Sequence, residues 1–185
     1  MMTTAVKGQE SRSMDSHTVA ATTPVRAEAG KYLTFNLASE VYGLEILKVQ
    51  EIIGIMQVTR VPCMPDFVRG VINLRGKVIP VVDLRLKFRM SEQQDTEKTC
   101  IIVVQVARST GQITMGIIVD EVSEVMDITG DQIEPAPSFG TNVDTEFILG
   151  MGKVGQRVVI LLDIEKVLSS TEIELVDTVA EEAGA

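Results

Sequence analysis

The 185-residue chain is poor in groups that catalyse. His17 is its one histidine, and it stands in a stretch rich in Thr, Ser and Ala. That removes imidazole acid–base work, Ser-His-Asp and Cys-His nucleophiles, and the usual histidine-bearing metal sites. Asp120 and Glu121 are adjacent; neighbours on a strand face opposite ways, so they make no carboxylate pair. Asp83 and Asp163 end two similar apolar runs, where a carboxylate accepts the N–H groups of a turn. Cys63 and Cys100 have no metal or redox spacing and read as two small buried thiols in a reducing compartment, with a disulfide between them left open. No G-x-x-x-x-G-K-[ST] loop and no G-x-G-x-x-G turn occurs. The expectation is a protein that is not an enzyme and holds no metal and no cofactor.

Residues suited to recognition are better represented. In Asn73-Leu74-Arg75-Gly76, arginine carries a planar donor fork that matches carboxylates, and Asn73 both donates and accepts. Val49-Gln50-Glu51-Ile52 sets a polar pair between two apolar residues, the composition of a patch that covers a core and meets a partner. Two readings of Arg75 stay open here. It anchors a partner's carboxylate, or it pairs internally with Glu51 and serves only the fold.

The elements that carry these residues occur twice. Tyr42-Gly43, Val49, Glu51-Ile52, Ile55 and Pro62 recur 73 positions later as Met115-Gly116, Val122, Glu124-Val125, Ile128 and Pro135. Phe67-Val68, Gly70, Lys77-Val78-Ile79 and Val81-Val82-Asp83-Leu84 recur 80 positions later as Phe147-Ile148, Gly150, Arg157-Val158-Val159 and Leu161-Leu162-Asp163-Ile164. Copy two therefore holds seven extra residues, placed between Pro135 and Asp144. Where copy one has Asn73-Leu74-Arg75-Gly76, copy two has Lys153-Val154-Gly155-Gln156. Shared residues point to scaffold and the unshared loop to function. A period this long predicts two sibling domains, each small enough to gain from packing on the other.

Strand periodicity dominates. Leu33, Phe35 and Leu37 alternate with polar residues, and a second strand runs through Gly43, Leu44 and Ile46. Leu47 to Ile55 fits neither helix nor strand cleanly. Phe67–Leu74 and Val78–Leu84 are strands hinged at Arg75-Gly76, and Pro80 suggests an edge or a bulge. Cys100–Ala107 reads as a fully buried strand, with a hairpin at Ser109-Thr110-Gly111. Phe147–Val154 and Val158–Ile164 close the pattern. About five strands per copy predict two small β-barrels, residues 31–90 and 91–164. Residues 1–30 lack hydrophobic period and are expected to be disordered. Residues 165–185 form an amphipathic helix, broken near Ser169-Ser170, with a frayed acidic tail.

The formal charge is −9, unevenly spread. Residues 31–90 hold nine basic and five acidic groups, and residues 91–164 hold four and twelve. An acidic chain with few aromatics excludes nucleic acid as a partner. The sign contrast suits two partners, or neighbouring molecules, on different faces; the other reading is solvated surface charge that drifted between duplicates. No apolar run approaches the roughly 20 residues of a membrane span, and the N-terminus has no signal core, so the chain reads as cytoplasmic with no membrane insertion.

Four segments together resemble the bacterial chemotaxis coupling-protein family, CheW. They are Tyr42 to Ile52, Arg69 to Leu84, Gly116 to Val122 and Leu161 to Lys166. The resemblance covers Lys31 to the C-terminal helix. It implies a mainly β fold of two intertwined five-stranded SH3-like barrels and a non-enzymatic adaptor at membrane-associated chemoreceptor arrays. The implied partners are the cytoplasmic hairpin tip of methyl-accepting chemoreceptors and the regulatory domain of the histidine kinase CheA. By motif, Val49, Glu51 and Arg75 match receptor-contact positions, and Gly70, Asn73 and Leu74 lie in the same loop region. Kinase-facing residues are not tied to a motif. The alternative is an inhibitory or decoy scaffold of the same array.

Overall fold

The structure is a computed structural model that describes residues 27–137 and 145–184. The expected disordered tail falls mostly on residues 1–26, and the insertion of copy two largely on residues 138–144. Both stretches, and His17 with them, lie outside the described residues.

Apolar alternation makes strands of Gly30–Leu37 (β1) and Glu40–Glu45 (β2). The ambiguous stretch that follows resolves into a single 3-10 turn, Ile46–Lys48, and a strand, Val49–Gly54 (β3). Val68–Leu74 (β4) and Lys77–Asp83 (β5) form the hairpin hinged at Arg75-Gly76, and a short helix, Leu84–Lys87 (α1), follows. Copy two supplies Cys100–Arg108 (β6), Gly111–Val119 (β7), Glu121–Ile128 (β8), Ile133–Glu134 (β9), Ile148–Val154 (β10) and Arg157–Leu162 (β11). The chain ends in helices Ile164–Val167 (α2) and Ser170–Gly184 (α3). Fraying was expected from residue 181, but α3 continues to Gly184. Asp83 and Asp163 act as the sequence suggested. Each accepts backbone N–H bonds at the start of the short helix that follows it, from Arg85 and Leu86 and from Glu165.

The strands form two sheets, ordered β8-β1-β2-β11-β10-β9 and β3-β6-β7-β5-β4. The first has six strands rather than five, because the two-residue β9 adds to its edge. Neither sheet follows the repeat boundaries 31–90 and 91–164. β2 pairs in parallel with β11, and β5 with β7, so each sheet takes strands from both copies. β5 is therefore an interior strand; of the edge or bulge that Pro80 suggested, there is no edge, but β4 shifts register against β5 between Val68 and Gly70, next to Pro80's ladder position. The parallel ladder is registered only from Val81 to Asp83, and Pro80, without an N–H, stands just outside it.

Packing shows that the five-stranded sheet curls. β3 and β4 are its two edges, yet Ile53 of β3 and Ile72 and Leu74 of β4 pack in one cluster with Ile79, Val81, Ile101, Val103 and Ile118. Edges share a core only when a sheet bends into a barrel. The six-stranded sheet likewise surrounds Tyr32, Ile128, Ile133, Val159 and Leu161. A larger third cluster lies between the sheets. On β6, Ile101 and Val103 face the barrel interior, while Ile102, Val104 and Val106 face this shared core. Among the described residues it holds twenty-two buried residues against six and five in the barrels. At about 1.5–3 kcal/mol per buried aliphatic side chain, most apolar stabilisation lies between the barrels. Rings from both copies run through it, Phe35 on Tyr42, Tyr42 on Phe88 and Phe88 on Phe147, at centroid spacings of 5.9, 5.8 and 5.2 Å.

One charged joint also ties the barrels. Asp120, at the crossing from β7 to β8, accepts the Ala38 N–H of the β1–β2 turn at 2.8 Å and Arg85 Nε at 2.6 Å. Arg85 is buried, and its remaining donors meet the Ser91 carbonyl at 3.1 Å and the Gln93 side chain. Removing the acid strands a buried guanidinium. We expect Asp120→Ala to lower the unfolding free energy by about 3 kcal/mol in a urea titration. Asp127→Ala, which breaks the exposed Lys31 pair, should cost under about 0.5 kcal/mol.

Candidate functional site

The candidate residues gather where the five-stranded barrel closes. Between its edges, β3 and β4, there is no strand pairing. Two contacts span the gap instead. Thr59 pairs with Val71 of β4 through N–H···O bonds of 2.8 and 2.9 Å. Further along, Arg75 donates both terminal nitrogens to the two carboxylate oxygens of Glu51, each at 2.7 Å.

The local sequence sets this geometry. β3 slips by one residue against β6 between Val49 and Glu51. Such a bulge re-aims side chains. By alternation Glu51 shares the face of Ile53, which enters the barrel core, while Ile52 points outward and is 43% exposed. Across the seam, Leu74-Arg75-Gly76-Lys77 makes a two-residue hairpin loop with φ +51° at Arg75 and +85° at Gly76. Positive φ at both central positions is the geometry that matches strand twist. The Asn73 side-chain oxygen accepts the Gly76 N–H at 2.9 Å and holds the turn. Leu74 packs against the barrel core behind it.

Arg75 is costly where it stands, because left-handed backbone crowds any Cβ. Copy two has Gly155 at the matching place, φ +63°. The Arg75 side chain is 73% exposed and uses two of its five N–H donors on Glu51, whose side chain is 27% exposed. The guanidinium fork holds the Glu51 carboxyl below its usual range, and Glu51 in turn raises the arginine. A depressed acid keeps its pair at neutral pH and loses it only as pH falls through that lowered value. The result is a fixed, outward-facing cation beside an exposed apolar side chain, suited to binding a carboxylate on a hydrophobic partner. In copy two the acid persists as Glu124, but its arginine is Arg157, 3.8 Å away.

Of the six candidates, Glu51 and Arg75 touch, and Asn73 and Leu74 build the turn between them. Val49 lies across the bulge, half-buried against the shared core. Gly70 sits behind the seam with φ +135°, and a Cβ there would come 2.0 Å from the Thr59 carbonyl oxygen. That is a structural demand, and Gly150 of copy two meets a similar one, 2.9 Å from the Glu134 carbonyl. Sequence reasoning missed Leu47. It lies on the 3-10 turn just before β3 and is 94% exposed, which its apolar neighbours concealed. Among the described residues no cluster could hold a metal; Cys63 and Cys100 are free thiols but not the buried pair expected, since Cys63 is exposed and Cys100 half-buried. No helix among the described residues is long and apolar enough to cross a membrane.

Comparison with known proteins gives a consistent result. A family profile described as CheW-like domain matches residues 31–172. A chemotaxis protein CheW of Klebsiella aerogenes is 49% identical over 150 residues, covering 81% of this chain and 88% of that one. A chemotaxis protein CheW of Treponema pallidum is 31% identical over 154 residues, with 81% and 88% covered. The crystal structure of the scaffolding protein TtCheW from Thermoanaerobacter tengcongensis aligns with a TM-score of 0.68 at 35% identity, covering 78% of this chain and 97% of that one.

The seam geometry separates scaffold from contact. Gly70→Ala, forced against Thr59, should lower the unfolding free energy by at least about 2 kcal/mol in urea. Arg75→Gly relieves the turn while losing only an exposed pair, and should unfold at the same or a higher urea concentration.

Proposed function

This chain belongs to the CheW family, and from that membership we propose that it couples chemoreceptor tips to the histidine kinase CheA within a chemosensory array. The family makes it a chemotaxis scaffold. The observation that carries the finer reading is the strained Arg75, held by Glu51 at the barrel seam with Ile52 exposed beside it. Strain at a backbone position persists where function requires that side chain. A receptor tip is a helical hairpin, and a helix presents an apolar stripe flanked by charge. Ile52 and Val49 meet the stripe, and Arg75 meets a receptor carboxylate. Asn73 and Leu74 position the arginine, and Gly70 fits the seam behind it.

An adaptor needs a second contact. Leu47 supplies an exposed apolar anchor on a short rigid turn, the kind of side chain that fills a pocket on a partner. It is our candidate for the regulatory domain of the kinase. The described residues hold no cluster that asks for a metal, and this role needs no cofactor.

Reconstitution with receptor fragment and kinase tests the reading. The protein should raise receptor-dependent kinase phosphorylation; lowering it instead would identify a blocking scaffold. Arg75→Glu should reduce receptor pull-down at least about tenfold through like-charge repulsion while the barrels stay folded. Leu47→Asp should reduce kinase binding and leave receptor pull-down intact. Full receptor binding by Arg75→Glu would overturn this assignment of the seam.

A further inference from the structure

The turn that carries Leu47 has a counterpart in copy two, and the two are tied down differently. At the 73-residue offset Leu47 matches Asp120, and Lys48 matches Glu121. At the 80-residue offset α1 matches α2, so Arg85 matches Glu165. Each turn is held by an ion pair to the short helix that closes the other copy. Asp120 of copy two meets Arg85 of α1, and Lys48 of copy one meets Glu165 of α2. The signs are exchanged, and the tie has moved by one residue. Asp120, at the place of Leu47, is engaged by Arg85 and by the Ala38 N–H. Glu121, the match of Lys48, meets Lys98 at 3.1 Å. In copy one it is Lys48 that makes the tie, and Leu47 faces solvent.

The Leu47 turn does little to hold itself. Its closing bond runs from the Val49 N–H to the Ile46 carbonyl, no side chain caps its start, and none of its three residues is fully buried. Short 3-10 pieces have poor hydrogen-bond geometry, so contacts from outside decide how such a turn sits. Two contacts do so here. Ile46 packs against the shared core. On the other side, Lys48 Nζ donates to Glu165 Oε1 at 2.6 Å. The bond to Glu165 raises the Lys48 ammonium above its usual range against the effect of burial, and Glu45 and Asp163 add to it. Glu165 stands on a fixed base. Ile164 and Val167 bury their side of α2, and Asp163 accepts the Glu165 N–H at 3.1 Å. Successive side chains of a 3-10 turn point about 120° apart. With Ile46 directed inward and Lys48 drawn to α2, the outward direction is left for Leu47.

We infer that Glu165 is a positioning residue for the kinase contact: through Lys48 it fixes the turn that presents Leu47. This role rests on the kinase contact proposed for Leu47. Glu165 acts before the partner arrives, because a turn already held in place loses less freedom on binding. Stability alone does not account for the pair. Arg85 and Asp120, with side chains 10% and 24% exposed, form a joint that the fold needs. Lys48 and Glu165, 36% and 34% exposed, leave no buried charge when parted.

The test is a titration of the kinase regulatory domain with the full chain. Glu165→Lys sets like charges together and should weaken binding about five- to tenfold. Its urea midpoint should move by less than about 0.5 M, and its receptor pull-down should not change. Exchanging the charges, Lys48→Glu with Glu165→Lys, remakes the pair and should return binding to within about twofold of the parent. Hydrogen exchange in the free chain reads the turn directly. The Val49 N–H should exchange at least about tenfold faster in Glu165→Lys and at the parent rate in the exchanged variant. Asp127→Lys, the same change of charge at the exposed Lys31 pair, should alter binding by less than about twofold. If the exchanged variant binds as weakly as Glu165→Lys, these side chains meet the kinase themselves and the positioning role is wrong. If Glu165→Lys and Asp127→Lys weaken binding equally, a diffuse field acts and the role is again overturned. If Leu47→Asp loses binding while Glu165→Lys binds as the parent, the positioning role is wrong and the Leu47 assignment stands. If Leu47→Asp itself binds fully, the kinase reading fails and the role of Glu165 falls with it.

Discussion

The structure depends on strands that are buried on both faces. β6 is the plainest case, sending Ile101 and Val103 into one barrel and Ile102, Val104 and Val106 into the core shared by two. A strand of this kind cannot be released from one side without exposing the other. The parallel pairs β2–β11 and β5–β7 add that each sheet is built from both copies. Neither copy can therefore close a barrel alone. Duplication did not yield two linked domains that pack together, but one folding unit with two axes.

That unity leaves the surface free to differ. Each barrel has a seam where edge strands meet, and each seam has an acid inherited from the repeat, Glu51 and Glu124. At one seam the turn has glycine, and the acid meets an exposed arginine at 3.8 Å. At the other, arginine occupies a left-handed position and grips the acid with two bonds. The surrounding core makes the second arrangement tolerable. A rigid hairpin, closed by Asn73 and backed by Leu74, holds the backbone where arginine alone would not place it. The pair then contributes orientation more than stability, since exposed ion pairs are weak and an outward, fixed guanidinium is what a partner can use.

Much of this was legible in the sequence because repeated residues carry geometry. Gly43 and Gly116 recur because a Cβ at either would press into its barrel interior, 3.0 Å from Leu161 and 2.7 Å from Ile101. Asp83 and Asp163 recur because both start a helical turn. The strands themselves followed from period-two burial. The exchange of strands between copies was not legible, since parallel pairing of β2 with β11 joins residues 118 apart that no local pattern links. Pro80 left edge and bulge undecided: its strand is interior, the β7 ladder begins one residue later, and the bulge lies in β4 beside it. At the site, residue types left two readings of Arg75, internal partner or external anchor. The geometry shows the first contact directly, and the cost of its backbone position supplies the argument for the second. Leu47 had no signal at all, because exposure of one apolar residue among many is a property of the turn.

A scaffold that grips two partners, as proposed for this chain, faces a specific physical problem. Each contact must be strong enough to hold a lattice, yet neither may disturb the core on which the other depends. Here the proposed contact residues sit on turns and edges: Leu47 on a 3-10 turn and Arg75 on a hairpin. Behind the seam, Ile53 and Leu74 pack on the barrel cluster. A partner that pulls on Arg75 works against Glu51 and a bulged edge, and the ladder of β6 and β7 behind it is untouched. Separation of an exposed, charged rim from a doubly buried interior lets one small chain be gripped from two sides without unfolding.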